Sequence, residues 1–256
     1  MHYKATRPDG MDFRTGTVRY AAALATGELV THPHSTRMVP GSASTYLSVS
    51  TEPAETLIGG EWPARLFRVE PTGGVLDNLS AGRHKRACLS LRVLEELPAW
   101  QALGPNGREV ERLVQQAATV TAEQVRNLRA AYYSAARVAA YAAGVDATGV
   151  AYSAAVWAAA EAARKAVADV IAAEPGGRYS CVAYAALALV VRDVLDPQHF
   201  ATLTAPWFRA VGDPRDLLAE DPQTLAVPAA EDSNARCDHV SVERRDPAAG
   251  ITARMP

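Results

Sequence analysis

Three runs decide the fold: Tyr46-Leu47-Ser48-Val49-Ser50, Ala64-Arg65-Leu66-Phe67-Arg68-Val69-Glu70-Pro71-Thr72-Gly73, and Leu89-Ser90-Leu91-Arg92-Val93-Leu94-Glu95-Glu96-Leu97. Each has the length of a strand and lies between Gly, Pro, Ser and Thr residues that punctuate the chain. From Leu89 to Leu94 apolar and polar residues alternate, so one face is buried and the other wet. Short segments of this kind fill the chain up to about residue 105 and predict a small antiparallel or mixed sheet. Arg7-Pro8-Asp9-Gly10 reads as a turn, with proline presetting φ at the first corner and glycine accepting a positive φ after it. A short helix is expected at about Val18 to Ala25.

Beyond residue 105 the period changes to that of a helix, with Val110, Leu113, Val114 and Ala117 on one face. Thr121-Ala122-Glu123-Gln124 has the form of a capping box and predicts a second helix start. From Ala130 to Ala173 alanine dominates, in pairs recurring near every fourth residue, as at Ala154/Ala155, Ala158/Ala159 and Ala162/Ala163. Such a stripe lets a neighbouring helix approach closely. Gly144 to Gly149 is expected to break the segment into two antiparallel helices, and Pro175-Gly176-Gly177 to stop the second. Tyr132, Tyr133, Tyr141, Tyr152 and Trp157 are expected to give the bundle its bulk, with Arg137, Arg164 and Lys165 on the wet side. A further apolar helix is expected over Arg178 to Leu195, and Asp196-Pro197 supplies an N-cap and a first-turn proline for the next. The reading is thus α+β: a β-rich domain over 1–104, an Ala-rich helical domain over 105–212, and a polar tail over 213–256, disordered beyond 228.

Composition removes several classes. A formal net charge of -2 gives no bulk reason to expect nucleic acid or an anionic membrane surface. Cys88, Cys181 and Cys237 are odd in number and far apart, which argues against a disulfide framework or a structural zinc site. Met1 to Gly10 has no apolar signal-peptide core, and the apolar run from Cys181 to Val191 is about half what a bilayer crossing needs. A cytoplasmic protein is expected, with no membrane partner.

In order and spacing, the N-terminal strands resemble the second half of the rifampin ADP-ribosyltransferases. That family has a His-Gly-Thr strand, then a strand carrying a Tyr, then one ending Val-Glu-Pro-Thr-Gly, then an acidic loop and a last strand ending near a Trp. Here Tyr46 falls on the Tyr, Val69-Glu70-Pro71-Thr72-Gly73 is identical to the motif, Asp77 stands at the acidic position, and Trp100 closes the block. Tyr3-Lys4-Ala5-Thr6 stands at the first strand, so Lys4 replaces the ribose-binding His and Ala5 the Gly. The same half resembles, more closely, an uncharacterised family of small β domains in bacterial and phage proteins that precede Ala-rich or repeat segments.

The resemblance implies an ADP-ribosyltransferase-like fold with Lys4, Thr6 and Tyr46 as ligand contacts and Tyr46 and Asp77 as the catalytic pair. There, Tyr46 would stack on nicotinamide and Asp77 would stabilise the oxocarbenium-like ribose. Because Lys4 lacks the ring geometry of His, the expectation is a non-catalytic recognition or scaffold protein that needs no cofactor and whose helical half mediates assembly. The alternative is an NAD-dependent ADP-ribosyltransferase, or an ADP-ribose- or nucleotide-binding protein with a degenerate site. The expected partners are a second copy or another protein on the Ala-rich helices, and a nicotinamide or adenine nucleotide. Three further clusters carry weaker signals. His32-Pro33-His34 puts two imidazoles at alternate positions without a third ligand, so no metal is assigned. Arg83-His84-Lys85-Arg86 reads as a solvated basic loop that can meet phosphate, and Cys237-Asp238-His239 as tail residues without chemistry.

Overall fold

Alternation sends the side chains of each strand to opposite faces of one antiparallel sheet, and the two faces have different covers. The computed structural model describes residues 1–40, 42–77, 84–130, 142, 153–168, 170 and 180–219. Among them are seven strands: β1 (His2–Thr6), β2 (Leu29–Thr31), β3 (Leu47–Ser50), β4 (Arg65–Thr72), β5 (Leu76–Asp77), β6 (Lys85–Cys88) and β7 (Ser90–Leu97). Their order is β2-β7-β4-β1-β3-β6-β5. Seven helices accompany them among the described residues: α1 (Tyr20–Thr26), α2 (Gly107–Ala118), α3 (Ala122–Ala130), α4 (Ser153–Ala166), α5 (Ser180–Val190), α6 (Pro197–Ala210) and α7 (Pro214–Ala219). The fold is mixed α+β, and the three runs quoted first are β3, β4 and β7. No helix among the described residues is long and apolar enough to cross a membrane.

On one face, Leu47, Val49, Phe67, Val69, Leu91 and Val93 bury against Tyr20 and Ala23 of α1. That helix starts without a side-chain cap. Its first amides, of Tyr20 and Ala21, donate instead to the Gly10 carbonyl at 2.9 and 3.3 Å. Gly10 has φ 78°, and a Cβ there would lie 2.3 Å from Ala21, so the turn read from the sequence needs glycine on both counts.

On the other face, Ala5 and Leu66 join a cluster that continues through Ala54 and Leu57 into α2, α4, α5 and α6. The sheet and the helices therefore share one buried core. In it Ala155, Ala159 and Ala163 are fully buried at four-residue spacing, beside the equally buried Ala185 and Ala186 of α5. Small side chains on this ridge allow the close helix approach that the spacing predicted. Trp157 does not add bulk to the core as expected; it is 64 % exposed. It lies two residues from both Ala155 and Ala159, on the opposite side of the helix from the alanine ridge. The break at 144–149, the stop at 175–177, Tyr132, Tyr133, Tyr141, Tyr152, Arg137 and the tail beyond 219 lie outside the described residues. Within the stretch read as tail, Pro214–Ala219 forms α7.

Local capping follows the sequence. The Gln124 amide donates to the Thr121 hydroxyl at 3.2 Å, and the Thr121 amide to Gln124 Oε1 at 2.8 Å, closing the capping box. The Asp196 carboxylate accepts from the amides of Gln198 and His199, with Pro197 at the first helical position. Asp196→Ala is expected to cost about 1 kcal/mol, read in thermal denaturation as a Tm lower by about 2–4 °C. An unchanged Tm would mean that α6 is held by packing alone.

Candidate functional site

The site begins where the ladder between β1 and β3 ends. These neighbours are in register only at Tyr3 and Ser50. On its other side β1 pairs with β4 along all five residues. Past that single point the strands part, and the gap is occupied by side chains. Lys4 turns its ammonium into the gap and donates to the Ser48 carbonyl at 3.0 Å, standing in for a missing ladder bond. Its Nζ also lies 5.4 Å from the centre of the buried Tyr20 ring, a cation–π contact.

Around the gap is a cavity of about 410 Å³. Its basic lining consists of Lys4, Arg14, His32, His34 and Lys85, with Tyr46, Ser44, Ser48 and Thr15 among the neutral polar groups. Lys4 and Lys85 enter it from opposite faces of the sheet, because Lys85 is in register with Ser50, and Ser50 with Tyr3. Lys85 is 5 % exposed, and among the described residues its Nζ meets the Thr56 carbonyl alone, at 3.5 Å. Burial, reinforced by the charge of Lys4 and opposed by Glu55, brings the Lys85 ammonium down to about 7. Burial also lowers Lys4, against the attraction of Asp12 and Cys88.

One carboxylate, that of Asp12, is among the described lining residues, and it is fully engaged. It accepts from the amides of Thr15, Thr17 and Val18 at 2.7, 3.0 and 2.9 Å, and from the Thr15 hydroxyl at 2.8 Å. Burial alone would raise its pKa, but the hydrogen bonds outweigh it and hold Asp12 at about 2. Asp12 thus shapes the loop 12–18, from which Phe13, Arg14, Thr15 and Val18 line the cavity. The Phe13 ring lies so close to Gly60 that a Cβ there would meet it at 2.8 Å, which ties this loop to the segment carrying Ile58 and Gly59.

Of the residues expected from the sequence, Lys4 and Tyr46 meet at the cavity. Tyr46 lies just before β3 and is 7 % exposed. The other two do not reach it. Asp77 sits on the edge strand β5, opposite Arg86, and pairs with it at 2.9 Å. Thr6 is fully buried and its hydroxyl donates to the neighbouring Arg7 carbonyl. The basic cluster read as a solvated loop also needs correcting, because Lys85 and Arg86 are paired in β6 and Lys85 is buried. Its neighbours Ala87 and Cys88 supply the apolar residues that carry the strand inside. His84 closes the β3–β6 end, its carbonyl accepting from the Thr51 amide. His32 Nδ1 accepts from the amides of His34 and Ser35, which commits that nitrogen to the loop.

Asp12 and Arg14 were missed, and Lys85 was named only as part of a basic loop that can meet phosphate. Two signals pointed to them: the Asp12-Phe13-Arg14-Thr15-Gly16-Thr17 loop has the composition of a side-chain-capped turn, and lysine is scarce in this chain. Among the described residues, no three His, Cys, Asp or Glu side chains converge as a metal site would require. Compared with protein-family models, with curated proteins and with solved structures, the chain gives no significant match.

Proposed function

We propose that the protein is a non-catalytic recognition module on an ADP-ribosyltransferase-like fold, and that its cavity binds a phosphate-bearing ligand of the nucleotide class, ADP-ribose or NAD. The observation that carries this reading is the lining: Lys4, Arg14, His32, His34 and Lys85 face one cavity whose described carboxylate is already saturated by its own loop. An anion supplies the missing counter-charge, and a low-dielectric cavity strengthens the attraction. Tyr46 at the same cavity offers a ring for a base or nicotinamide. Binding without transfer is favoured because Asp77, the acid that the resemblance assigns to the oxocarbenium ion, is paired with Arg86 at the sheet edge and does not line the cavity with Tyr46. The Ala-rich helical half serves assembly with a second copy or a partner protein, a role that the exposed Trp157 on α4 supports.

The test is a thermal-shift and calorimetric titration of the full chain with ADP-ribose, NAD and adenosine, with light scattering on the same sample for assembly. ADP-ribose is expected to stabilise the fold by about 3 kcal/mol at a hundredfold excess over its Kd, and adenosine far less. Lys4→Met and Tyr46→Ala are expected to weaken binding by about tenfold or more, the loss of one charge-assisted contact or one stacked ring. No shift with either dinucleotide at millimolar concentration would retire the reading. Release of nicotinamide from NAD would restore the transferase alternative.

A further inference from the structure

Lysine is nearly absent from this chain: there are three, against twenty-three arginines. Two of the three, Lys4 and Lys85, line the same cavity. The third, Lys165, is on the surface of α4 in an ion pair with Glu61 at 2.7 Å. Outside the cavity, every Lys or Arg position but Lys165 carries the guanidinium, which stays protonated. At the cavity it uses the one basic side chain that can give up its proton and become a nucleophile.

The two cavity amines are not equivalent. Lys4 is held by the Ser48 carbonyl and the Tyr20 ring, contacts that favour the charged form. Burial disfavours charge on both, but among the described residues Lys85 has a single contact, at the outer limit of a hydrogen bond. Next in sequence to Thr56 is Glu55, which is fully buried and, among the described residues, has neither carboxylate oxygen hydrogen-bonded. Burial raises the Glu55 carboxyl, against the pull of His84 and Lys85. A buried lysine and a buried glutamate that feel each other's charge, each driven toward neutrality and with no ion pair between them, fit a reactive rather than a structural arrangement.

We propose that Lys85 is a nucleophilic amine that condenses with the carbonyl end of a ligand held in the cavity, giving an imine. The ligand class is the phosphate-bearing aldehydes and reducing sugars, ADP-ribose with its open-chain ribose included. Only the anionic end of that ligand rests on the function proposed above. In the step, the neutral Nζ adds its lone pair to the carbonyl carbon, and the carbonyl oxygen takes up a proton to give a carbinolamine. Loss of its hydroxyl as water, with both amine protons gone, leaves the carbon–nitrogen double bond. Nothing is oxidised or reduced, and hydrolysis returns amine and carbonyl.

Pyridoxal 5′-phosphate serves as the probe, with phosphate-free pyridoxal beside it. The full chain is incubated with each near pH 7, reduced with borohydride, digested and analysed by mass spectrometry. Three lysines make each site separately readable. Labelling at Lys85 is expected to exceed that at Lys165 by about tenfold or more, because an ordinary lysine is almost wholly protonated near pH 7. Labelling at Lys85 should level off above about pH 7, whereas that at Lys165 keeps rising. Lys85→Arg should remove the label. Label at Lys4 or Lys165 in place of Lys85 overturns the proposal, and the wild-type result stands whether or not the variant folds. The two readings fail separately. Equal labelling of Lys85 by pyridoxal and its phosphate sinks the anion site and keeps the amine. An ADP-ribose thermal shift with Lys85 unlabelled does the reverse.

Discussion

Asp12→Ala is expected to lower stability by about 3 kcal/mol near neutral pH and to remove the response to ADP-ribose. The carboxylate is 6 % exposed and is the acceptor for three amides and one hydroxyl. Without it, the donors of residues 15 to 18 lose their partner, at about 1 kcal/mol for each bond left unmade. The cavity wall made by Phe13, Arg14 and Thr15 goes with them. Asp12→Asn keeps the shape but turns an NH₂ toward amides that need an acceptor, so an intermediate loss is expected. The pH dependence separates charge from shape. The Asp12 pKa falls from 3.8 in the unfolded chain to about 2 in the folded one. Its contribution is therefore complete above the unfolded value and disappears as the pH falls through the folded one. Wild type should lose about 2 kcal/mol over that acid window from this group, and Asp12→Asn should not. Denaturation curves taken down to pH 2 measure the difference. Parallel losses in the two proteins would show that Asp12 is not the group that titrates.

A second large effect is expected at Arg192, far from the cavity. Its guanidinium donates to the Glu109 carboxylate and to Asn106 Oδ1, while the Asn106 side-chain amide donates to Asp193 at 3.1 Å. This network ties the segment that follows α5 to the first turn of α2. Asn106 is 7 % exposed and the Glu109 side chain 15 %. Arg192→Met should cost about 3 kcal/mol, because it leaves a largely buried carboxylate without its cation. Arg192→Lys should recover less than half of that, since one ammonium cannot span two acceptors held in a planar fork. Urea denaturation of the two variants and of Glu109→Gln, combined as a double-mutant cycle, isolates the pair. A coupling near zero would mean that α2 and α5 are joined by their apolar contacts alone.

The elements legible from the sequence were those whose cause is local. Strands β3, β4 and β7 carry alternation within their own residues and turn formers at their ends. Thr121 with Gln124, and Asp196 with Pro197, are caps complete within four residues. Lys85 shows the opposite case. Read in its own neighbourhood, Arg83-His84-Lys85-Arg86 is a solvated run. Lys85 is buried because it pairs with Ser50 across β3, a contact 35 residues away in the chain that no local pattern encodes. Asp77 shows the same limit from the other side. Its place after Gly73 matched the family motif, but what it does is set by Arg86 across the β5–β6 pair. The cavity is a third instance, since it depends on where β1 and β3 stop pairing, and strand divergence leaves no trace in either strand's composition. Lys4 on β1 and Tyr46 just before β3 were singled out by the family resemblance, and both line the cavity.

The strand that comes first along the chain, β1, lies in the middle of the sheet, between β3 and β4. Neither neighbour is joined to it by a tight hairpin, so β1 is placed only after loops of some tens of residues have closed on it. Such closure is entropically costly and sets a slow pace for folding. The cavity inherits that order of events. Lys4 comes from β1 and Lys85 from β6, so on a growing chain no binding-competent fragment exists before residue 88 has been made. Under the proposed binding, ligand capture during refolding marks the closures that bring β1 and β6 to β3, and a chain that lacks them is blind to the ligand.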